Sequence, residues 1–253
     1  NVAFAKNSSL DILKGKIETK FLKNNLKFNF IKNDNLIISN SFFRNKLLQT
    51  TFDGTIETNP FFNFDLFFII KSINFTDLLN SENIKKILNF SGKAKKLNGK
   101  IKILYNKNNL ERSYVKNLSA SISSENGSIK LNKITVHFPE AVIYLNGDIS
   151  EYEGYKKFNF KIIADITNKK KFLRNFKIKG FENQEPLNLS INGYLNISSN
   201  KIYFDLIEID NKKKTSVEDI NFYKQSFEQI VIKDNLKNIF IINNIKNFFK
   251  EIL

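Results

Sequence analysis

Six short phrases in this chain set a glycine inside a strand-like pattern. That arrangement limits the fold more than any other feature of the sequence. "LKGKI" ends at Ile17, "FDGTI" at Ile56, "LNGKI" at Ile101, "ENGSI" at Ile129, "LNGDI" at Ile149 and "INGYL" at Leu195. In five of them an apolar residue stands two before and two after the glycine; in "ENGSI" Glu125 takes the first slot. Successive side chains of a strand point to opposite faces, so the five glycines share a face with the apolar residues. Glycine weakens a strand interior and needs a packing reason to be there. A missing side chain leaves a dent across which a phenylalanine ring can lie, and the sheet can coil more sharply at that point. With 26 Phe in the chain, such partners are plentiful. "ENGSI" has a second reading, an Asn-Gly hairpin turn of type I′.

The pattern extends well beyond the glycines. Leu26, Phe28 and Phe30 share a face opposite Lys27 and Asn29. Phe52 and Ile56 flank Gly54, opposite Asp53 and Thr55. Ile101, Ile103 and Tyr105 oppose Lys100 and Lys102. Leu145 and Ile149 flank Gly147, and Phe158, Phe160 and Ile162 oppose Asn159 and Lys161. In "LNLSINGYLNIS", Leu189, Ile191 and Leu195 alternate with Ser190, Asn192 and Tyr194. Clusters such as "KNDN" (32–35), "NKNN" (106–109), "SSN" (198–200) and "DNKKK" (210–214) read as turns between these runs. The expected fold is mainly β: a long antiparallel amphipathic sheet of consecutive hairpins, wet on one face.

Three short helical stretches punctuate the strands, at 75–90, 167–176 and 241–253. Thr76 or Ser81 could cap the first and Thr167 or Asn168 the second. The terminal stripe could cap an open end of the sheet, or lie on a membrane or partner. Successive glycines 15, 54, 99, 147 and 193 lie 39, 45, 48 and 46 residues apart, which suggests an internally repeated architecture. Several strands followed by a helix then define units 1–91 and 92–180, with 181–253 as a third, partial unit ending in an amphipathic helix.

Composition narrows the environment. No Cys is present, which excludes disulfides and thiolate metal sites and is compatible with an extracytoplasmic location. No Met is present either, so the chain reads as a segment of a longer protein. No apolar run is long enough to span a bilayer; "PFFNFDLFFII" (60–70) is broken by Asn63 and Asp65. The net charge of +15 fits an anionic partner, nucleic acid or lipid headgroups, but the lysines are spread along the chain rather than gathered.

Reactive chemistry is sparse. The single His137, with no Cys beside it, cannot build a zinc site and reads as a strand-end residue. Asp148, Glu151 and Glu153 read as a solvated loop rather than a catalytic pair. Lys169–Lys171 and Lys212–Lys214 read as solvated turns, or as contacts to anionic headgroups. No phosphate-binding, dinucleotide-binding, nucleophile-elbow or zinc-protease motif occurs. The expectation is a protein that is not an enzyme and uses no metal or cofactor.

The strands written apolar-x-Gly-x-Ile, followed by "NPFFNFDLFFIIKSINFTDLL" (59–79), resemble the AsmA-like proteins of Gram-negative bacteria. Gly54, Pro60, Phe61, Phe62 and Asp77 match that family's glycine strand, Pro-aromatic turn and step into a helix. A looser second copy runs through Gly147, Phe158, Phe160, Asp165 and the helix after Thr167, without proline. The resemblance covers most of residues 10–205. It implies a β-groove that binds phospholipid acyl chains. It also implies a periplasmic location and an N-terminal inner-membrane anchor that this chain lacks. The role implied is phospholipid transport between inner and outer membrane and outer-membrane integrity, with an outer-membrane or periplasmic protein as a further partner.

The residues themselves lead nearby. An amphipathic sheet must cover its apolar face, and three short helices cannot cover so many strands. Hydrocarbon chains can: burial contributes roughly 0.8 kcal/mol per methylene, on the order of 10 kcal/mol for a long acyl tail. The expected lining is Phe28, Phe30, Phe52, Ile56, Ile101 and Ile103, continued by Leu145, Ile149, Phe160, Ile162, Leu189, Ile191 and Leu195. The alternative is a structural or adhesive β-repeat protein with a closed, dry core and no ligand. Nucleic acid is set aside as a partner, because Phe and Lys alternate by face and a stacking platform needs both on one face.

Overall fold

A computed structural model describes residues 2–7, 12–74, 97–107, 114–126, 128–152, 154–175, 178, 182, 184–199, 201–210, 212–213, 216–232, 244 and 247–248. The first six strands are β1 (Val2–Asn7), β2 (Ile12–Phe21), β3 (Asn24–Lys32), β4 (Leu36–Arg44), β5 (Leu48–Glu57) and β6 (Asn63–Ile73). Five more follow: β7 (Asn98–Asn106), β8 (Asn117–Glu125), β9 (Ser128–His137), β10 (Ala141–Tyr152) and β11 (Tyr155–Ile166). After α1 (Lys169–Asn175) come β12 (Leu187–Asn196), β13 (Lys201–Ile209) and the two-residue β14 (Lys212–Lys213). Helix α2 (Val217–Ser226) continues as a π-helical segment, Phe227–Ile232.

The strands form one 14-stranded sheet whose spatial order is the chain order. At the usual strand spacing the sheet is roughly 60 Å across, and it stays open instead of closing into a barrel. This is the mainly β, hairpin-built sheet that the alternation predicts, with one joint of a different kind. β6 and β7 pair in parallel. A parallel joint needs a long connection, and 24 residues separate the two strands in the chain. The helix expected over 75–90, with Asp77, lies outside the described residues.

Several ladders carry register shifts, among them those of β4, β9 and β13. The shift in β4 is held by side chains. Asn40 sits at φ 48°, its N–H donates to Asp53 Oδ1 at 2.6 Å, and Asn29 Nδ2 donates to its carbonyl at 2.8 Å. The hydroxyl of the fully buried Ser41 accepts from the Asn29 N–H at 3.0 Å. Each such bulge increases local twist and bends the strand.

Helix α1 forms where the sequence predicts a helix at 167–176. Asn168 is its cap, accepting from the Lys171 N–H at 2.9 Å. Phe172 and Leu173 bury against Ala141, Ile166, Ile178 and Leu187, at the edge of the sheet where β11 turns toward β12. Helix α2 and its π-helical extension are not apparent in the apolar pattern, although Ser216 caps α2 by accepting from the Asp219 N–H at 3.0 Å. This element lies along the last long strand. Glu228 accepts from the Ile202 N–H at 3.1 Å, Phe227 meets Phe204 edge-on, and Ile232 packs on Ile202. Of the terminal stripe at 241–253 only residues 244 and 247–248 are described; Phe248 is buried and meets Phe227 edge-on at 5.2 Å.

Candidate functional site

The cross-strand register turns the separate alternating segments into rows. Gly15, Phe30, Ile38, Gly54, Leu66 and Ile101 are successive partners from β2 to β7. The row continues without a polar residue through Ile122, Leu131, Gly147, Phe160, Gly193 and Phe204 on β8 to β13. A second row runs beside it. Phe52, Phe68, Ile103, Ala120 and Ile134 lead from β5 to β9, and Leu145, Ile162, Ile191 and Ile207 from β10 to β13. A third, on the other flank of the first, includes Ile56, Phe64, Ile149, Phe158, Leu195 and Ile202. A fourth includes Val136, Ile143, Ala164, Leu189 and Ile209.

All thirteen residues expected to line a groove therefore stand on one face. Phe30, Ile101 and Phe160 are in the first row. Phe52, Ile103, Leu145, Ile162 and Ile191 are in the second, and Phe28 stacks on Phe52 with ring centroids 6.4 Å apart. Ile56, Ile149 and Leu195 are in the third and Leu189 in the fourth. Each of the thirteen is partly exposed, neither buried nor fully open to solvent. The apolar residues of this face that are buried include Ile38, Tyr105, Ile202 and Ile207. The two buried clusters lie to the sides, one beneath α1 and one beneath the π-helical segment.

Aromatic rings tile part of the surface. Phe30, Phe28, Phe52 and Phe68 form a chain with centroid separations of 5.6, 6.4 and 5.5 Å. The glycines provide the dents. A Cβ at Gly15 would collide with the ring of Phe30, at Gly99 with Phe64, and at Gly147 with Phe158. At Gly54, Gly99 and Gly147 a Cβ would also meet a backbone carbonyl oxygen, of Asp65, Phe64 and Asn159, and Gly54 and Gly99 have φ of +155° and +152°. The "ENGSI" phrase behaves differently. β8 and β9 pair through Glu125 and Ser128, so Asn126, at φ 50°, stands in the turn between them, and the phrase is a hairpin turn rather than a strand interior.

The opposite face is mixed: Ile37, Phe42, Phe67, Ile69, Leu104 and Ile163 stand on it, but one long row is polar. Lys100, Ser123, Lys130, Asp148, Asn159 and Tyr194 are successive partners there. Asp148 accepts from Asn159 Nδ2 at 3.0 Å and from the Ser150 hydroxyl at 3.2 Å, which places that carboxylate in a structural network. Tyr194 and Tyr203 stack with centroids 4.6 Å apart, the Lys157 ammonium 3.9 Å over one ring and the Lys224 ammonium 4.2 Å over the other. Burial, with Tyr203, Tyr155 and Asp205 nearby, pushes the Tyr194 hydroxyl above its ordinary value. His137 closes β9, half-buried. Lys169–Lys171 open α1, and Lys212 and Lys213 are the short edge strand.

The lining also contains strands whose alternation is harder to see. In β13, Ile202 and Phe204 share the apolar face, then the register shifts, and Ile207 and Ile209 share it instead. β9 changes phase in the same way between Leu131 and Ile134. A strict two-residue count loses such strands at the shift, although each half alternates correctly.

Among the described residues, no group of three or more His, Asp or Glu could hold a metal ion, and no helix is long and apolar enough to cross a membrane. Comparison with family models, curated proteins and solved structures returns no match.

Proposed function

We propose that the apolar face is an open trough for phospholipid acyl chains. The chain would be an AsmA-like module that moves phospholipid between inner and outer membrane, maintains the outer membrane, and makes or breaks no covalent bonds. The observation that carries this reading is the state of the thirteen lining residues. They stand in rows across the strands, the first apolar from β2 to β13 and the second from β5 to β13, yet every one keeps accessible surface. A closed core would have sealed side chains of this size, because each Leu, Ile or Phe gains about 1.5–3 kcal/mol from full burial. Flexible methylene chains can satisfy such a surface along its whole length without a specific polar contact.

In this reading the protein's partners are acyl chains in the trough, the inner membrane through an N-terminal anchor on the parent protein, and an outer-membrane or periplasmic protein. The location is the periplasm, with the parent protein held in the inner membrane. The glycine phrases and the segment through Pro60, Phe61 and Phe62 support the family assignment; residues 58–62 join β5 to β6, with Phe61 76% exposed.

The test is the lipid content of the protein after gentle purification from an envelope-containing host. Native mass spectrometry is expected to show phospholipid adducts, and delipidated protein is expected to take up a fluorescent fatty acid. Folded protein that carries no lipid and takes up none would defeat the proposal and leave the closed structural repeat as the better account.

A further inference from the structure

The hairpin joining β2 to β3 ends in two apolar residues that the sheet does not bury. Phe21 is 69% exposed and Leu22 76%. Leu22 and Lys23 form the turn, with φ of 43° and 67°. Two-residue hairpin turns of this hand favour Asn and Gly, which tolerate positive φ. A leucine there holds a strained backbone and gains no burial from its own chain in return. Strained, exposed apolar residues at a loop tip point to something outside the fold.

Cations surround the tip. Lys20 and Lys23 belong to the hairpin, Arg44 ends β4 and Lys46 lies in the next turn, and all four are exposed. Lys20, Phe21, Leu22, Lys23 and Arg44, with three asparagines, line one open cleft of about 420 Å³, and no carboxylate is among its lining residues. Phe21 also falls on the same face of β2 as Gly15 and Ile17, so the apolar face runs out to the tip.

We propose that this tip docks the protein on an anionic phospholipid bilayer. Phe21 and Leu22 enter the boundary between headgroups and acyl chains, and Lys20, Lys23, Arg44 and Lys46 meet the phosphates. Charge selects the occupant. An apolar tip alone suits any greasy partner, whereas an apolar tip inside a cationic collar suits a surface that is anionic outside and hydrocarbon within. The docking site goes beyond the acyl trough and does not depend on it.

The experiment is co-sedimentation of the full chain with vesicles, either phosphatidylcholine alone or phosphatidylcholine mixed with phosphatidylglycerol. Binding is expected on the mixed vesicles and is expected to weaken with salt. Phe21→Ser with Leu22→Ser lowers it by on the order of tenfold. Each of Lys20→Gln, Lys23→Gln and Arg44→Gln lowers it by about fivefold. Equal binding to both vesicle types overturns the proposal, as does wild-type binding by the Phe21/Leu22 double variant. Tighter binding to a single-stranded oligonucleotide that the same charge variants abolish also overturns it, by assigning the cations to nucleic acid. Fatty-acid uptake read on the same samples is expected to be unchanged in the tip variants. Joint loss of uptake and docking overturns the tip as a docking element, because it makes the hairpin a structural part.

Discussion

At the scale of single residues, the glycines on the apolar face differ in what a side chain would meet. At Gly15 the obstacle is the far end of a phenylalanine ring, which can swing. At Gly54 it is a backbone carbonyl, and the φ of +155° disfavours any Cβ. Gly54→Ala is therefore expected to cost about 3 kcal/mol and Gly15→Ala about 1 kcal/mol, read as midpoint shifts in urea unfolding. Equal costs would contradict the dent as the reason for the glycine. On the opposite face the stacked Tyr194 gives a pH prediction. Its folded pKa is raised above the free value of 10.0, so the neutral ring favours the fold. That contribution is fully present below pH 10.0 and is lost as pH rises through the folded value. Absorbance titration of tyrosinate is expected to show late ionisation from Tyr194 and from Tyr223, whose hydroxyl burial also pushes up, and Tyr194→Phe is expected to remove only the first.

At the scale of elements, the β13 end of the sheet is protected by a helix. β14 covers only two residues of β13, and the rest of that strand is a template for another chain unless something blocks it. α2 and its π-helical extension do the blocking. Glu228 takes the Ile202 N–H, Phe227 and Ile232 hold one face, and Lys224 reaches Tyr203 on the other. Glu228→Ala leaves the strand's N–H without its acceptor and is expected to cost about 1–2 kcal/mol. Light scattering after size exclusion is expected to show new dimers or larger species. A variant that stays as monodisperse as the wild type would assign the protection to packing alone. The helix is short and its cap is local, so its position on the last strand comes from burial of Ile232 and Val231 more than from propensity.

At the scale of the whole molecule, the same kind of substitution should have opposite consequences in two places. Ile191 sits on the partly exposed apolar face, where a carboxylate can still reach water. Val231 is 0% exposed. Ile191→Glu is expected to cost less than about 2 kcal/mol and to leave a folded protein that takes up less fatty acid. Val231→Glu is expected to cost more than about 4 kcal/mol, since it buries an unpaired charge, and to give unfolded or aggregated protein. Circular dichroism beside the uptake assay checks both. Unfolding by Ile191→Glu would mean the face is sealed in solution.

The amino-acid sequence by itself determined which residues face which way within each unbroken run of strand, because side chains alternate there and five of the six glycine phrases keep their phase with their neighbours. The shared face of the thirteen apolar residues was legible for that local reason; the Asn126 turn was the less favoured of two readings of its phrase, and Asn168 one of two candidate caps. The phase changes in β4, β9 and β13 were not, because a bulge adds one residue and its position is set by partners such as Asn29 and Asp53 on neighbouring strands. Nor was the cap on β13, which depends on where Ile202 leaves an unpaired N–H, nor the parallel joint of β6 and β7. One long sheet of consecutive hairpins was legible too; only the tertiary structure decided how its rows align from strand to strand. Alignment of rows is a property of inter-strand pairing, which joins residues far apart in the chain and leaves no local trace in any of them.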